Sequence, residues 1–395
     1  MSAAPTVEHA TPIERVFATF GKYYYLPDPG IVSVSLGALA ANLLPGPPVW
    51  LMLVGPPGSG KTAILNAMGG LPNVHVAGTL TEASLLSGTA RKERAADATG
   101  GLLRLTGDFG ILILKDFTSI LSMNRDTRAA TLAALREVYD GSWTRLVGTD
   151  GGKALHWQGK LGLLAGVTQS IDSHHAVTAS MGERFLLHRL PISDPELQVL
   201  AAYQNASRTE EVAAETGASV RALFASGFDS TPLVRTDSGE VGRLGALAAI
   251  AAHARSSVER DGRTREVVYV HDSEMPARLT LSLLQLDSGM AALGIAAGER
   301  WRLIQKTALD CIPNLRRRAL LTLRDLGTPA NTSELAERLD HPTSTVRLAL
   351  EDLTAHRVLR RIKTGQGSAD LWELSPATAG RFSTVGTVYE KSGEL

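Results

Sequence analysis

The chain has 395 residues, enough for two or three domains and a sizeable core. Apolar residues make up 44% and charged ones 20%, with 40 basic against 40 acidic side chains, so no global field selects nucleic acid and any basic surface is local. The single cysteine, Cys311, excludes an internal disulfide and the structural-zinc spacings; it is expected to be a small buried residue in a cytoplasmic protein.

Residues 1–44 read as an N-terminal segment. Its first twenty residues carry prolines, Glu8 and Glu14 without an uninterrupted apolar stretch, which predicts a loose lead-in and no signal peptide. Tyr23, Tyr24, Tyr25 and Leu26 mark where packing begins. The most apolar region, 31–54, is broken by Pro45, Gly46, Pro47 and Pro48, so no membrane span is expected.

Residues 45–192 read as a nucleotide-binding domain. The apolar run Val49 to Val54 has the length of a strand buried on both faces. It leads into Gly55, Pro56, Pro57, Gly58, Ser59, Gly60, Lys61 and Thr62, a complete match to G-x-x-x-x-G-K-[ST], and Ala63 to Met68 then begin a helix. Glycines at 58 and 60 let the backbone curl its N–H groups inward around phosphate oxygens, and the positive end of the next helix adds to that field. Lys61 is expected to reach the β- and γ-phosphates, and Thr62 to hold Mg²⁺. The chain is therefore expected to bind a nucleoside triphosphate.

Further along, Val74 to Val76 is a short strand, Thr79 to Ser87 a helix, and Arg91 to Gly100 an exposed loop near the nucleotide. Ile111 to Leu114 is another buried strand. Asp126 is expected to cap a helix bearing Leu132, Leu135 and Val138 on one face, stopped by Gly141. Ser142 to Trp157 reads as a hairpin turning at residues 148–152. Leu161 to Val167 and Phe185 to Leu190 complete a doubly wound, mostly parallel α/β domain. Residues 193–313 turn helical, in windows at 196–204, 241–259, 276–293 and 299–311, with Val267 to Val270 the one strand run. The polar stretch Gly227 to Gly242 is the expected flexible connection.

Residues 314–375 form a distinct unit. Asn314 opens a helix closed by Gly327. Asn331 with Glu334 suggests a capping box for a second helix ending at Leu339, and Thr343 to His356 makes a third with Val346, Leu350 and Leu353 inward. Arg360 to Lys363 and Leu371 to Leu374 then read as a β-ribbon. Three helices plus a terminal hairpin predict a winged helix-turn-helix. Residues 376–395 read as a mobile tail.

Hydrolysis needs a carboxylate behind the Mg²⁺ and a base beside it. The candidate is the end of the strand Ile111 to Leu114, at Lys115, Asp116 and Phe117. At this point the phosphate loop, the strand and the hairpin resemble the AAA+ ATPases over roughly residues 45–295. The closer likeness is to the branch holding MCM-type helicases and bacterial enhancer-binding activators. That branch ends the strand in Asp-Glu, whereas this chain has Lys115 and Asp116. Without a gap Asp116 matches the catalytic Glu; shifted by one, it matches the metal-linked Asp and the base is missing. Asp108, before the strand, is a possible substitute. The resemblance implies that Thr168 or Gln169 senses the γ-phosphate. It also implies that Arg184, in Gly182 to Phe185, is an arginine finger lent to a neighbour, and that Arg278 opens a lid helix as the sensor-2 arginine. Such a protein works as a homo-oligomer with ATP and Mg²⁺. His174 and His175 are adjacent, point apart on a helix and predict polar surface rather than a metal site.

The last unit resembles the MarR/ArsR-type winged helices of bacterial regulators, a module that also ends AAA+ initiators and branch-migration motors. Between 315 and 363 it holds ten Lys and Arg against six Asp and Glu. Thr343, Ser344, Thr345 and Arg347 lie at the end of the third helix that enters a major groove, and Arg360, Arg361 and Lys363 on the wing suit phosphates. Together these features predict an ATP-binding AAA+ protein that acts on DNA as a helicase, helicase loader or replication initiator. The alternatives are an ATP-gated transcriptional regulator and an ATP-dependent scaffold whose winged helix binds protein.

Overall fold

The structure is a computed structural model that describes residues 10–88, 100–148, 152–175, 177, 182–191, 194–227, 237–365 and 369–387. The expected loop at 91–100, the hairpin turn at 148–152 and the connection at 227–242 lie largely or wholly outside those residues. The chain divides into two compact units. The first comprises Met1–Ile171, Arg189–Pro232 and Gln285–Arg300; the second comprises Asp172–His188, Leu233–Leu284 and Trp301–Leu395.

Among the described residues, seven strands run through the first half of the chain: β1 (Trp50–Val54), β2 (Val74–Ala77), β3 (Phe109–Leu114), β4 (Ser142–Val147), β5 (Lys153–Gln158), β6 (Lys160–Val167) and β7 (Phe185–Arg189). Five form one parallel sheet in the order β2, β3, β6, β1, β7, while β4 and β5 pair separately as an antiparallel hairpin. Residues 50–54 and 110–114 are buried without alternation, because helices cover both faces. The mixed α/β class with a parallel sheet is thus the one expected from the apolar runs.

The helix Gly30–Leu43 accounts for the most apolar stretch: it buries thirteen residues all round and is a core helix. It meets residues 285–292 at a crossing that only glycine permits. A Cβ on Gly289 would run into the Gly37 carbonyl oxygen, and one on Gly37 would run into Met290 Cγ. No helix among the described residues is long and apolar enough to cross a membrane.

Sequence and structure differ at both ends. The lead-in carries a regular helix, Pro12–Tyr23, begun by a capping box in which Thr11 Oγ1 accepts from Glu14 N and Glu14 accepts from Thr11 N. The expected tail carries the helix Pro376–Val385: Ser375 caps it, Pro376 occupies its first position, and Phe382 and Val385 are buried. Inside the sheet domain, the helix Arg125–Tyr139 is capped by Asn124 rather than Asp126, since Asn124 Oδ1 accepts from Thr127 N at 3.0 Å. The helix expected over 79–87 shortens to Glu82–Leu85.

In the second unit, the helices Asn314–Leu326, Thr332–Leu339 and Thr343–Ala355 pack with a three-stranded antiparallel sheet of Ala330–Asn331, Leu371–Leu374 and Leu359–Ile362, with Leu371–Leu374 in the middle. Val346, Leu350 and Leu353 are buried as their spacing requires. Trp372, 2% exposed, closes the core and donates its indole N–H to Thr332 Oγ1 at 2.9 Å.

Candidate nucleotide site

The loop after β1 is held at both ends. Gly55 N donates to Val167 O of β6 at 3.2 Å, and the helix Lys61–Ala67 starts where Ala63 N and Ile64 N turn back onto Gly60 O. Between these points Gly58 and Gly60 have φ of +82° and +85°. This is the left-handed conformation that glycine adopts without the Cβ penalty. Pro56, Pro57, Gly58 and Thr62 are exposed, and Ser59 and Lys61 are buried.

The Lys61 ammonium sits inside the curl. It donates to Gly55 O and Pro56 O at 2.7 Å each and to Ser59 Oγ at 3.2 Å. Burial lowers its pKa, and the Asp116 carboxylate opposes that shift. Among the described residues Asp116 is the carboxylate whose charge reaches Lys61. The pairing of Leu114 with Ala165, and of Ala165 with Met52, carries Asp116 to the level of Val167 and Val54, at the start of the loop. Asp108 lies before the other end of β3, eight residues ahead of Asp116, and the six-residue strand between them alone spans about 20 Å at ~3.3 Å per residue. Asp108 is too far to supply the missing carboxylate.

Asp116 also orders the residues after it. Its Oδ1 accepts from Thr118 N at 2.8 Å, and the Thr118 hydroxyl lies 3.4 Å from Thr168 Oγ1, which is 2.7 Å from Ser170 Oγ. Thr168, just after β6, thus sits in a chain of hydroxyls that ends at Thr118, whose backbone N–H binds Asp116, whereas Gln169 opens a short 3-10 turn and is exposed. Thr118 gives no signal in the sequence, because a threonine after an acidic strand end belongs to no motif of its own.

A cavity of about 490 Å³ opens beside Gly58, Ser59, Gly60 and Ala63. Its other walls are Tyr23 to Leu26 and the helices Pro195–Asn205 and Thr209–Ala225. Asn205 ties two of these walls together by donating to Tyr23 O at 2.8 Å. A cavity of this size, mostly apolar and adjoining a phosphate-type loop, has room for the organic part of a nucleotide.

The second unit brings Arg184 and Arg278 together. Gly182 and Glu183 have φ of +77° and +48°. Arg278 Nη1 donates to Gly182 O, and a Cβ at Gly182 would lie 3.0 Å from the Nη1 atoms of both arginines. Arg184 is 7% exposed. Arg255, 1% exposed, grips the same turn through Glu183 O at 3.3 Å and is itself bound by Glu274, with Nη2 at 2.7 Å and Nε at 2.9 Å. Burial alone would lower the Arg255 pKa, but Glu183 and Glu274 more than reverse this and hold the guanidinium charged. His175 approaches Glu183 at 3.8 Å, and no cluster of metal-ligating side chains is found among the described residues.

On the C-terminal unit, Thr343, Ser344, Thr345 and Arg347 are exposed along the first turns of their helix, and Lys363 is exposed on the ribbon. The arginines are already engaged: Arg347 with Glu351 at 2.9 Å, Arg360 with Glu373 across the ribbon, and Arg361 with Asp370. Counting to residue 374 adds Asp370 and Glu373, so the local basic excess falls from four to two.

No family model matches the chain, and no curated protein matches it. Among solved structures it is similar to "The A form apo structure of NrS-1 C terminal region-CTR", at 12% identity and a TM-score of 0.26, covering 64% of this chain and 57% of that one. "The A form apo structure of NrS-1 C terminal region-CTR(305-718)" matches at 10% identity and a TM-score of 0.25, covering 95% of this chain and 77% of that one. The chain thus spans under two thirds of the first of these structures, and likenesses this weak carry no argument about its activity.

Proposed function

We propose that this chain is an ATP-binding protein of AAA+ type that acts on DNA through a C-terminal winged helix, as part of a homo-oligomer. The observation that carries the nucleotide part is the left-handed glycine loop curled around the Lys61 ammonium, with a nucleoside-sized cavity at its side. On binding, the loop amides and Lys61 would take the phosphate oxygens, and Lys61 would exchange its bonds to Gly55 O and Pro56 O for stronger charge-assisted ones. The exposed Thr62 hydroxyl and the Asp116 carboxylate fit Mg²⁺, which takes few protein oxygens and keeps several waters. Bound there, Mg²⁺ supplies charge neutralisation of the phosphates.

With Asp116 as the one carboxylate whose charge reaches Lys61 among the described residues, turnover should be slow. Asp116 can orient a water or hold the metal, but one side chain cannot do both at once. Thr168, through Thr118, would register the γ-phosphate. Arg184 and Arg278 are the basic groups for the charge that develops on it, Arg184 acting in trans. For DNA, Thr343, Ser344, Thr345 and Arg347 would meet base edges, and Arg360, Arg361 and Lys363 would meet phosphates.

A second reading has one observation in its favour. Because Arg347, Arg360 and Arg361 already pair with carboxylates, the winged helix also suits a protein partner. ATPase turnover measured with and without single-stranded and duplex DNA separates the two. Stimulation by DNA supports the first reading; DNA-independent turnover with no duplex binding at low salt supports the scaffold.

A further inference from the structure

The cavity beside the phosphate loop carries a chemical preference in one of its walls. The helix Pro195–Asn205 buries none of its residues, yet Gln198, Ala201 and Asn205 fall at helical spacing on one stripe lining the cavity. Asn205 is held in one orientation. Its Nδ2 donates to Tyr23 O and to Ala201 O, both at 2.8 Å. A carbonyl oxygen only accepts, so the nitrogen end must face these two partners and the amide cannot turn over. Both of its N–H bonds are then used. The Oδ1 atom accepts no hydrogen bond among the described residues, and Asn205 lines the cavity, so the capacity this amide keeps for a ligand is that of an acceptor. Asn66 and Gln198 also line the space, but no described hydrogen bond fixes either amide, so each can turn to suit a donor or an acceptor.

We infer that Asn205 selects adenine over guanine by accepting a hydrogen bond from the exocyclic amino group of the base. Adenine carries a donor at that position and guanine a carbonyl oxygen, which would put two acceptors face to face. The carbonyls that lock the amide come from the helix itself and from the Tyr23 to Leu26 wall, so the selecting atom is fixed before any ligand arrives. Preorganisation of this kind lets one hydrogen bond discriminate, because a wrong base leaves the acceptor unpaired at a partly desolvated site.

This rests on the reading of residues 55–62 as a triphosphate loop, and the test separates the two. Calorimetric titration of the full chain compares ATP, GTP, ITP and purine riboside triphosphate, which lacks the amino group. ATP should bind about tenfold or more tightly than GTP and ITP, and about three- to tenfold more tightly than the purine analogue. Asn205→Leu should bring ATP and ITP to within about twofold of each other while triphosphate binding persists. Equal affinities of the natural chain for ATP and ITP overturn the role of Asn205 and leave the loop intact as a triphosphate site. Unchanged selectivity in Asn205→Leu overturns it as well. Failure of all four nucleotides to bind overturns the loop reading, and the Asn205 role with it.

Discussion

Removing Glu274 should loosen the turn that carries Arg184. The Arg255 side chain is 1% exposed and spends two bonds on Glu274, at 2.7 and 2.9 Å, and one at 3.3 Å on Glu183 O. Its Nη1 has no hydrogen-bond partner among the described residues. Glu274→Ala therefore leaves a buried guanidinium with a single long bond. Breaking a buried pair from one side costs roughly 3–5 kcal/mol. The Glu274 side chain is 18% exposed and Glu183 stays nearby, so the lower end, about 3 kcal/mol, applies. Hydrogen exchange of the helix Ser238–Arg255 reads this directly: protection near Arg255 should fall about a hundredfold. Arg255→Met combined with Glu274→Leu should restore most of it, because the charge and its partner leave together. A loss under tenfold in Glu274→Ala, or a double variant no better than the single one, would refute this account of the cluster.

Three more outcomes are expected on the same physical grounds. Burial lowers Lys160 to about 8, with its ammonium on Leu44 O at 2.7 Å; the unfolded chain keeps that proton until near 10.5, so stability should rise with pH between about 8 and 10.5. Urea midpoints at both ends of that window should show the rise, and Lys160→Met should flatten it. Burial raises the Cys311 thiol to about 11, so a disulfide reagent at pH 8 should label it only after denaturation; rapid labelling of the native chain would contradict its placement. If the ribbon binds duplex DNA, Lys363→Ala should reduce the slope of log affinity against log salt by about 0.9. Asp370→Asn with Glu373→Gln should strengthen binding by releasing Arg361 and Arg360; no change in either variant argues for a protein partner.

How much of the molecule is legible in its sequence depends on the range of the interactions involved. The conformation of the loop at 55–62 is legible because its residue types are fixed by local backbone needs: left-handed glycines and a lysine reaching back over six positions. The parallel strands are legible as unbroken apolar runs. The helices at 12–23 and 376–385 are readable in principle, from Thr11 with Glu14 and from Ser375 with Pro376. Their weakly apolar surroundings suggest loose ends instead. The cavity wall is not legible, because Asn205 meets Tyr23 across 182 positions and neither residue carries a motif. Arg360 and Arg361 are recognisable as basic, but their carboxylate partners become visible only once the strands 359–362 and 371–374 are paired in register.

The central claim is that Gly55 to Thr62 bind a nucleoside triphosphate, and titration of the full chain with ATP and Mg²⁺ tests it most directly. We expect saturable binding near one equivalent per chain that weakens when Mg²⁺ is withheld. Lys61→Ala should weaken it about ten- to a hundredfold through loss of a charged hydrogen-bond donor, with the fold unchanged by circular dichroism. No heat of binding in the natural chain, or an unchanged affinity in Lys61→Ala, would contradict the claim.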